Sequence, residues 1–315
     1  MEIDVLADIL EVGQLGSKVI CQPTLPPPWG LDFDVEKRAM CHIVTRGTCW
    51  FIPFSGADPI KLIQGDLAFL PECRGHRLLS SLDSKVAHYQ KEITRKKNEV
   101  ASGKVSLANA TALFCSHYIL EGDIALPFFS LLPPFIHLSA DTICGEPNLQ
   151  KLINMIMSEE SSTGLGRKVI LSKLIDLLLI YIIRISIKNE KNQKASWMHA
   201  LTDPKIGTSI SLMHKSPSKK WTVDSLAKEL SMSRSSFAKR FTEFTGASPL
   251  SYLTIWRMDL SAKLLRDSKM SVGEVARHVG YDSEPSFSKV FKRYRKVPPG
   301  EYRSAYKNDL EGVTL

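Results

Sequence analysis

The chain has 315 residues, 43% of them hydrophobic and 23% charged, with 18 glycines and 17 prolines. That is about twice a typical domain of ~150 residues, and the balance excludes a collagen-like, coiled-coil-only or wholly disordered chain. The net charge of +8 is uneven: Met1–Ser196 holds 21 basic and 21 acidic residues and Trp197–Leu315 holds 20 and 12, so the excess lies in the last third and points to a polyanionic partner there.

Met1–Leu10 carries Glu2, Asp4 and Asp8 and lacks the basic start of a secretory signal. Up to about Gly145 the pattern is β. Short apolar stretches at Lys18–Cys21, Met40–Val44, Cys49–Pro53, Lys61–Ile63, Leu67–Leu70 and Ala112–Leu120 are separated by turn residues such as Gly47, Ser55-Gly56, Gly65-Asp66 and Gly122-Asp123. Strands this closely spaced predict a sandwich or small barrel. Ser81–Ala110 breaks the rhythm; polar, lysine-rich and poor in large apolar residues, it reads as a mobile insertion. From Asn148 the period becomes helical, with Leu149, Leu152, Ile153, Ile156 and Met157 on one face. A second helix over Arg167–Lys188 has a wide apolar face of Leu171, Leu174, Ile175, Leu178, Leu179, Ile182 and Ile183. Such width predicts burial on two sides, either against a second subunit or in an internal helical hairpin. Its apolar run, Leu171–Ile187, includes Lys173, Asp176 and Arg184 and is too short and too charged for a membrane span. Lys188–Ser196 reads as a polar linker. Six cysteines without a CxxC pair give no disulfide or zinc-finger framework and suit a reducing, cytoplasmic setting.

The last third contains a repeat. Val223, Leu226, Ala227, Leu230 and Met232 match Val272, Val275, Ala276, Val279 and Tyr281; Phe237, Phe241, Phe244, Pro249 and Tyr252 match Phe287, Phe291, Tyr294, Pro299 and Tyr302, with one residue gained in the turn. Each copy reads as a short helix, a turn and a second helix whose paired phenylalanines point inward. That is a helix-turn-helix with a polar, basic outer face suited to a major groove. Ser248 and Pro249 start a long helix between the copies, which fixes their spacing.

The segments Trp221–Leu253 and Met270–Arg303 resemble the DNA-binding domain of the AraC/XylS family, in Gly246-Ala247-Ser248-Pro249, Gly280-Tyr281 and Pro299-Gly300-Glu301-Tyr302-Arg303; Pro285 departs from the usual pattern. The resemblance, over residues 204–306, implies base-reading side chains at Arg234, Ser235, Ala238 and Lys239 and at Glu284, Ser286, Ser288 and Lys289. It implies phosphate contacts at Arg240, Lys292, Arg293 and Arg303, and RNA polymerase as an onward partner. Gly65–His76, with glycine, five residues, proline and a histidine five further on, resembles the second cupin motif, and Leu126–Leu138 resembles the end of a cupin-type sensor domain. The first cupin motif is missing. His42 and His76, with Cys21 or Cys115, are then candidate ligands for zinc, or satisfied core residues. Cys21 and Cys115 are redox candidates, because regulators resembling this one carry cysteines at these places, or are buried packing.

The expected architecture is α+β: residues 1–145 a cupin-like β-barrel or sandwich sensor, 146–196 a helical dimerisation linker and 197–315 an all-α double helix-turn-helix. The expected function is a homodimeric, sequence-specific regulator of transcription, an activator by resemblance, that binds double-stranded DNA and answers a small molecule, metal or oxidant. The alternatives are a cupin metalloenzyme tethered to a DNA-binding domain, and a DNA-repair methyl acceptor, which needs a cysteine cluster that the spacing does not supply.

Overall fold

The computed structural model describes residues 5–12, 15–36, 38–120, 132–189 and 203–311. The expected linker over 190–196 and the segment 126–131 lie outside them. The described residues fall into two compact units, one of 15–119 with 132–189, the other of 5–12 with 203–311.

The first unit is a two-sheet sandwich. One sheet has the order β1 (Leu15–Cys21), β10 (Thr111–Leu120), β4 (Ala39–Arg46), β7 (Leu67–Leu70), β11 (Ile136–Leu138), with β2 (Thr24–Leu25) also on β10; the other runs β6 (Ile60–Ile63), β5 (Thr48–Ile52), β8 (Cys73–Leu79), β3 (Gly30–Glu36), β9 (Ala87–His88). The core between them draws Met40, Val44, Ala68, Leu70, Leu113 and Cys115 from the first sheet and Leu31, Phe33, Phe51 and Leu78 from the second. Asp66, in the turn before β7, ties the ends: its carboxylate accepts from the amides of Ala140 (2.8 Å) and Ile63 (3.1 Å) and lies 3.1 Å from His137 Nε2.

One difference from the expected pattern stands out, and one choice that the sequence leaves open is decided. The insertion contains an ordered helix, α2 (Tyr89–Ala101). Only Ile93 among its apolar residues is buried, so an apolar stripe could not reveal it. Arg95 pairs with Glu92 and Glu99, and Lys96 with Glu99, at helical spacings that do stabilise it. The wide face of the later helix is covered within the chain. After α3 (Ala140–Cys144), α4 (Pro147–Glu160) and α5 (Arg167–Asn189) form a hairpin, and α5 also crosses β1, where Ser17 Oγ donates to Ser172 O at 2.8 Å. All seven residues of the face are buried in this one chain, so the hairpin, rather than a second subunit, accounts for its width.

The second unit begins with α1 (Val5–Val12), a helix absent from the sequence reading. It packs on α6 (Pro204–Lys215) and on the central helix α9 (Pro249–Asp267), burying Val5, Ile9, Leu10 and Val12. Residues 5–12, expected with the sensor, therefore group with the helical unit. The first repeat is α7 (Val223–Glu229) and α8 (Arg234–Thr245); the second is α10 (Val272–His278) and α11 (Glu284–Arg295), closed by α12 (Pro299–Glu311). Thr222 and Ser271 start the first helices with capping boxes, and Ser233 and Ser283 cap the second ones. Phe237, Phe241, Phe287 and Phe291 are fully buried.

Each repeat needs two residues with positive φ. In the first these are Ser231 (φ 51) and Gly246 (φ 70); in the second they are Gly280 (φ 91) and Lys296 (φ 67). Glycine thus relieves one position per copy, and a side chain bears the cost at the other. At Gly280 a Cβ would also lie 2.8 Å from Ser218 Cα and 2.9 Å from Arg257 Nη2. Gly280→Ala is expected to cost about 2 kcal/mol or more, whereas Lys296→Gly should stabilise by about 0.5–1 kcal/mol. Thermal denaturation of the full chain gives both signs.

Candidate functional site

The DNA-reading candidates lie on the outward sides of α8 and α11. Arg234, Ser235, Lys239, Arg240, Glu284, Ser286, Lys289, Lys292 and Arg293 are exposed, and Ala238 and Ser288 half-buried, opposite the phenylalanine pairs. The local cause is the spacing: aromatic residues at i and i+4 sink one face and present the other.

The central helix holds both repeats. Arg257 donates from Nε to Pro217 O at 2.8 Å, gripping the loop before the first repeat. Arg295, at the end of α11, forms a buried ion pair with Asp259 of α9. The two equivalent tyrosines anchor differently: Tyr252 OH meets His214 Nε2 of α6 at 2.9 Å, while Tyr302 OH accepts from Arg266 of α9. His214 stacks on Trp256 at 3.6 Å, and its Nδ1 lies 2.9 Å from Asp8 of α1. Burial lowers the pKa of His214, and the Asp8 carboxylate opposes that shift. Sequence reasoning missed these anchors, although Asp259 inside the buried phase of α9 was a readable signal.

One phosphate-contact expectation is corrected. Arg303 points inward and donates from Nε to Leu265 O (3.1 Å) and from Nη2 to Met270 O. It satisfies the Leu265 carbonyl in the last turn of α9, which lacks a helical partner, and the Met270 carbonyl in the loop beyond, so its Nε and Nη2 are already used. Arg240 keeps an exposed edge but is held by Asp203, the N-cap of α6, and lies 5.7 Å from the Phe244 ring.

In the sandwich the four sensor candidates come together. Cys115 pairs with His42 across β10 and β4. His42 Nδ1 lies 3.1 Å from Cys115 Sγ, and His42 Nε2 lies 2.7 Å from His76 Nε2. His76 Nδ1 is 3.4 Å from Cys73 Sγ, which donates to Asp34 O at 3.2 Å. Cys21, on β1 beside β10, adds to the raised pKa of the Cys115 thiol. The carbonyl of Asp34 can only accept, which fixes the direction of the chain. Cys73 gives its proton to that carbonyl and accepts from His76 Nδ1–H; His76 Nε2 accepts from His42 Nε2–H; His42 Nδ1 is left to accept from Cys115.

This line does not suit zinc. Cys115 and His76 occupy opposite edges of the His42 ring, so one cation cannot take both with it. Two nitrogens on tetrahedral zinc, at bonds of ~2.0–2.1 Å, stand about 3.3 Å apart, farther than the 2.7 Å between the imidazoles. Among the described residues no group of three or more histidine, cysteine, aspartate or glutamate side chains is placed to hold a metal ion. The zinc expectation therefore has no converged ligand set behind it.

Burial lowers the pKa of His42 to about 3 and that of His76 well below its ordinary value, the latter helped by His42; burial also raises the Cys115 thiol. Next to the chain, Phe33 is stacked between His76 (4.5 Å) and Tyr89 of α2 (4.8 Å). Phe33 and Tyr89, with Lys18, Arg38, Met40 and His117, line a cavity of about 210 Å³.

Residues 4–188 match a cupin family model, and residues 226–305 match a helix-turn-helix domain model. The chain belongs to the AraC/XylS family of regulators, with a cupin N-terminal domain. It is a sequence-specific DNA-binding regulator of transcription. A putative AraC-like transcription regulator of Streptomyces lividans is 29% identical over 301 residues, covering 96% of this chain and 98% of its own. The RCS-specific HTH-type transcriptional activator RclR of Escherichia coli is 29% identical over 266 residues, 83% of each chain. The crystallised DNA-binding domain of the transcriptional factor AdpA, solved with a target DNA, is 32% identical and covers 34% of this chain and 96% of its own, with a TM-score of 0.33. No described helix is long and apolar enough to cross a membrane.

The buried imidazoles set an acid limit. Both must be neutral in the folded chain, whereas unfolded histidines take up protons below about pH 6.5. Their contribution is intact above that pH and falls as pH drops from 6.5 towards 3, by about 1.4 kcal/mol per pH unit for each histidine that stays neutral. The urea midpoint should fall between pH 7 and 5, and less steeply in His42→Gln.

Proposed function

We propose that the chain is an oxidant-responsive activator that works as a cytoplasmic homodimer without catalytic turnover. Arg234, Ser235, Ala238 and Lys239 read bases from α8, and Glu284, Ser286, Ser288 and Lys289 read them from α11. Lys292 and Arg293 hold phosphates. The name of the E. coli relative supports activation, with RNA polymerase as the onward partner. The surface left for a second copy is the exposed apolar part of α5, with Val169, Ile170 and Leu177.

The observation that carries the sensing half is the placement of Cys21 and Cys115 on neighbouring strands, with His42 Nδ1 3.1 Å from Cys115 Sγ. Hydrogen peroxide, or another two-electron oxidant, completes the chemistry. The Cys21 sulfur attacks one peroxide oxygen; the O–O bond breaks, water leaves with the thiol proton, and Cys21 becomes a sulfenic acid. The Cys115 sulfur then displaces that hydroxyl, which leaves as a second water with the Cys115 thiol proton. Two thiols and one peroxide give one disulfide and two waters. The new bond links β1 to β10, neighbours in one sheet, and so biases the sensor between two arrangements.

A second reading has its own observation. The 210 Å³ cavity carries Lys18 and Arg38 against one acidic residue, Asp34, beside Phe33, Met40 and Tyr89; that net positive lining suits a small organic anion, and the Phe33–His76 stack joins it to the same chain.

Genome-wide footprinting with and without peroxide, paired with thiol trapping, tests the redox reading. Peroxide should change operator occupancy while a Cys21–Cys115 disulfide accumulates, and Cys21→Ser should abolish both. Occupancy that ignores peroxide, or that responds unchanged in Cys21→Ser, overturns it and leaves the cavity reading.

A further inference from the structure

The two repeats present their cations differently, and the repeat itself supplies the control. On α8 every cation has a carboxylate beside it. Arg234 Nη1 is 3.5 Å from Asp224 Oδ2 on α7, Lys239 Nζ is 3.9 Å from Glu243 Oε1 one turn on, and Arg240 pairs with Asp203. On α11, Arg295 is taken by the buried Asp259. Among the described residues, Lys289, Lys292 and Arg293 have no carboxylate within 4 Å; Arg293 lies against the Tyr294 ring at 5.2 Å. The repeat alignment places Gly273 where the first copy has Asp224, and Arg293 where it has Glu243. Gly273 leaves room for Glu284, whose Oε2 would lie 2.9 Å from a Cβ built there. That carboxylate sits at the N-terminal end of α11, whereas Lys292 and Arg293 lie in its last turn.

Exposed pairs of this kind contribute little to folding, about 0–1 kcal/mol each. Their effect on DNA is larger in kind. Affinity for any duplex comes from cations that replace counterions at phosphates, and a carboxylate within 4 Å cancels such a cation until the duplex displaces it. A base edge that offers a bidentate acceptor to Arg234 compensates for the lost partner; a phosphate approached at random also meets the carboxylate's repulsion.

We propose that Asp224 and Glu243 are specificity-determining residues of the first DNA-reading module, whose carboxylates mask Arg234 and Lys239 and restrict that module to duplexes carrying the matching bases, while the unmasked Lys292 and Arg293 give the second module, beside its base-reading face, the larger sequence-independent hold on phosphates. The inference rests on the assignment of α8 and α11 as the reading helices.

The test grafts the second copy's residues onto the first, as D224G with E243R in the full chain. The probes are the duplex that the wild-type chain selects from a random library and a scrambled duplex of equal composition, titrated from 50 to 200 mM KCl. The graft should raise affinity for the scrambled duplex about tenfold or more, change affinity for the selected duplex less than about threefold, and steepen the salt slope on the scrambled duplex by about one unit per phosphate gained. Equal gains on both duplexes, or no change on either, overturn the proposal. D224N with E243Q removes charge alone and should act in the same direction if the graft lowers the thermal midpoint. A wild-type chain that selects no sequence defeats the reading-helix assignment instead, before any variant is made.

Discussion

A single helix, α9, sets the geometry of the DNA-binding unit. Ser248 caps it with Pro249 in its first turn, Arg257 ties it to the loop ahead of the first repeat, and Asp259 ties it to the end of α11. Burying that ion pair is costly unless both charges keep their partner, so removing either partner would leave an uncompensated charge inside the unit. The exposed faces of α8 and α11 are therefore positioned by anchors on the other side of the unit, within its packed interior. Arg303 belongs with them: it is turned inward because the last turn of α9 leaves the Leu265 carbonyl without a helical donor.

The sandwich solves a different problem. Two histidines and three cysteines occupy the layer between or beside its sheets, where an unpaired polar group is expensive. They are tolerated because the donors from Cys115 through His42, His76 and Cys73 each have an acceptor, in one direction, ending at the carbonyl of Asp34. Such a chain cannot lose one member without leaving its neighbour unsatisfied, which makes it both a structural requirement and a place where chemistry at one thiol is felt by the next residue. In sequence, only two residues separate α1, part of the helical unit, from β1, which carries Cys21.

The repeat was legible because the same aromatic, small and capping residues recur at a fixed offset, and both copies fold as that grammar predicts. The strand at Leu67–Leu70 matches residue for residue. β3 was missed although Leu31, Phe33 and Val35 alternate with Asp32 and Asp34, because its acidic residues disguised an alternating strand. α2 was missed because ion pairs rather than an apolar stripe stabilise it. The Cys115–His42–His76 grouping was half-visible: the motif that ends at His76 marked one member, but only strand register brings Cys115 opposite His42. The destination of Arg303 depends on where α9 ends, and the pairing of Arg234 depends on Asp224 from another helix; neither is a local property of sequence.

The central claim is that the two reading helices, fixed by α9, engage one face of one duplex. Hydroxyl-radical footprinting of the full chain on a duplex that it selects measures this directly. The account predicts, for each chain, two protected windows centred about 10–10.5 base pairs apart on the same face. A single window, or two on opposite faces, would contradict it.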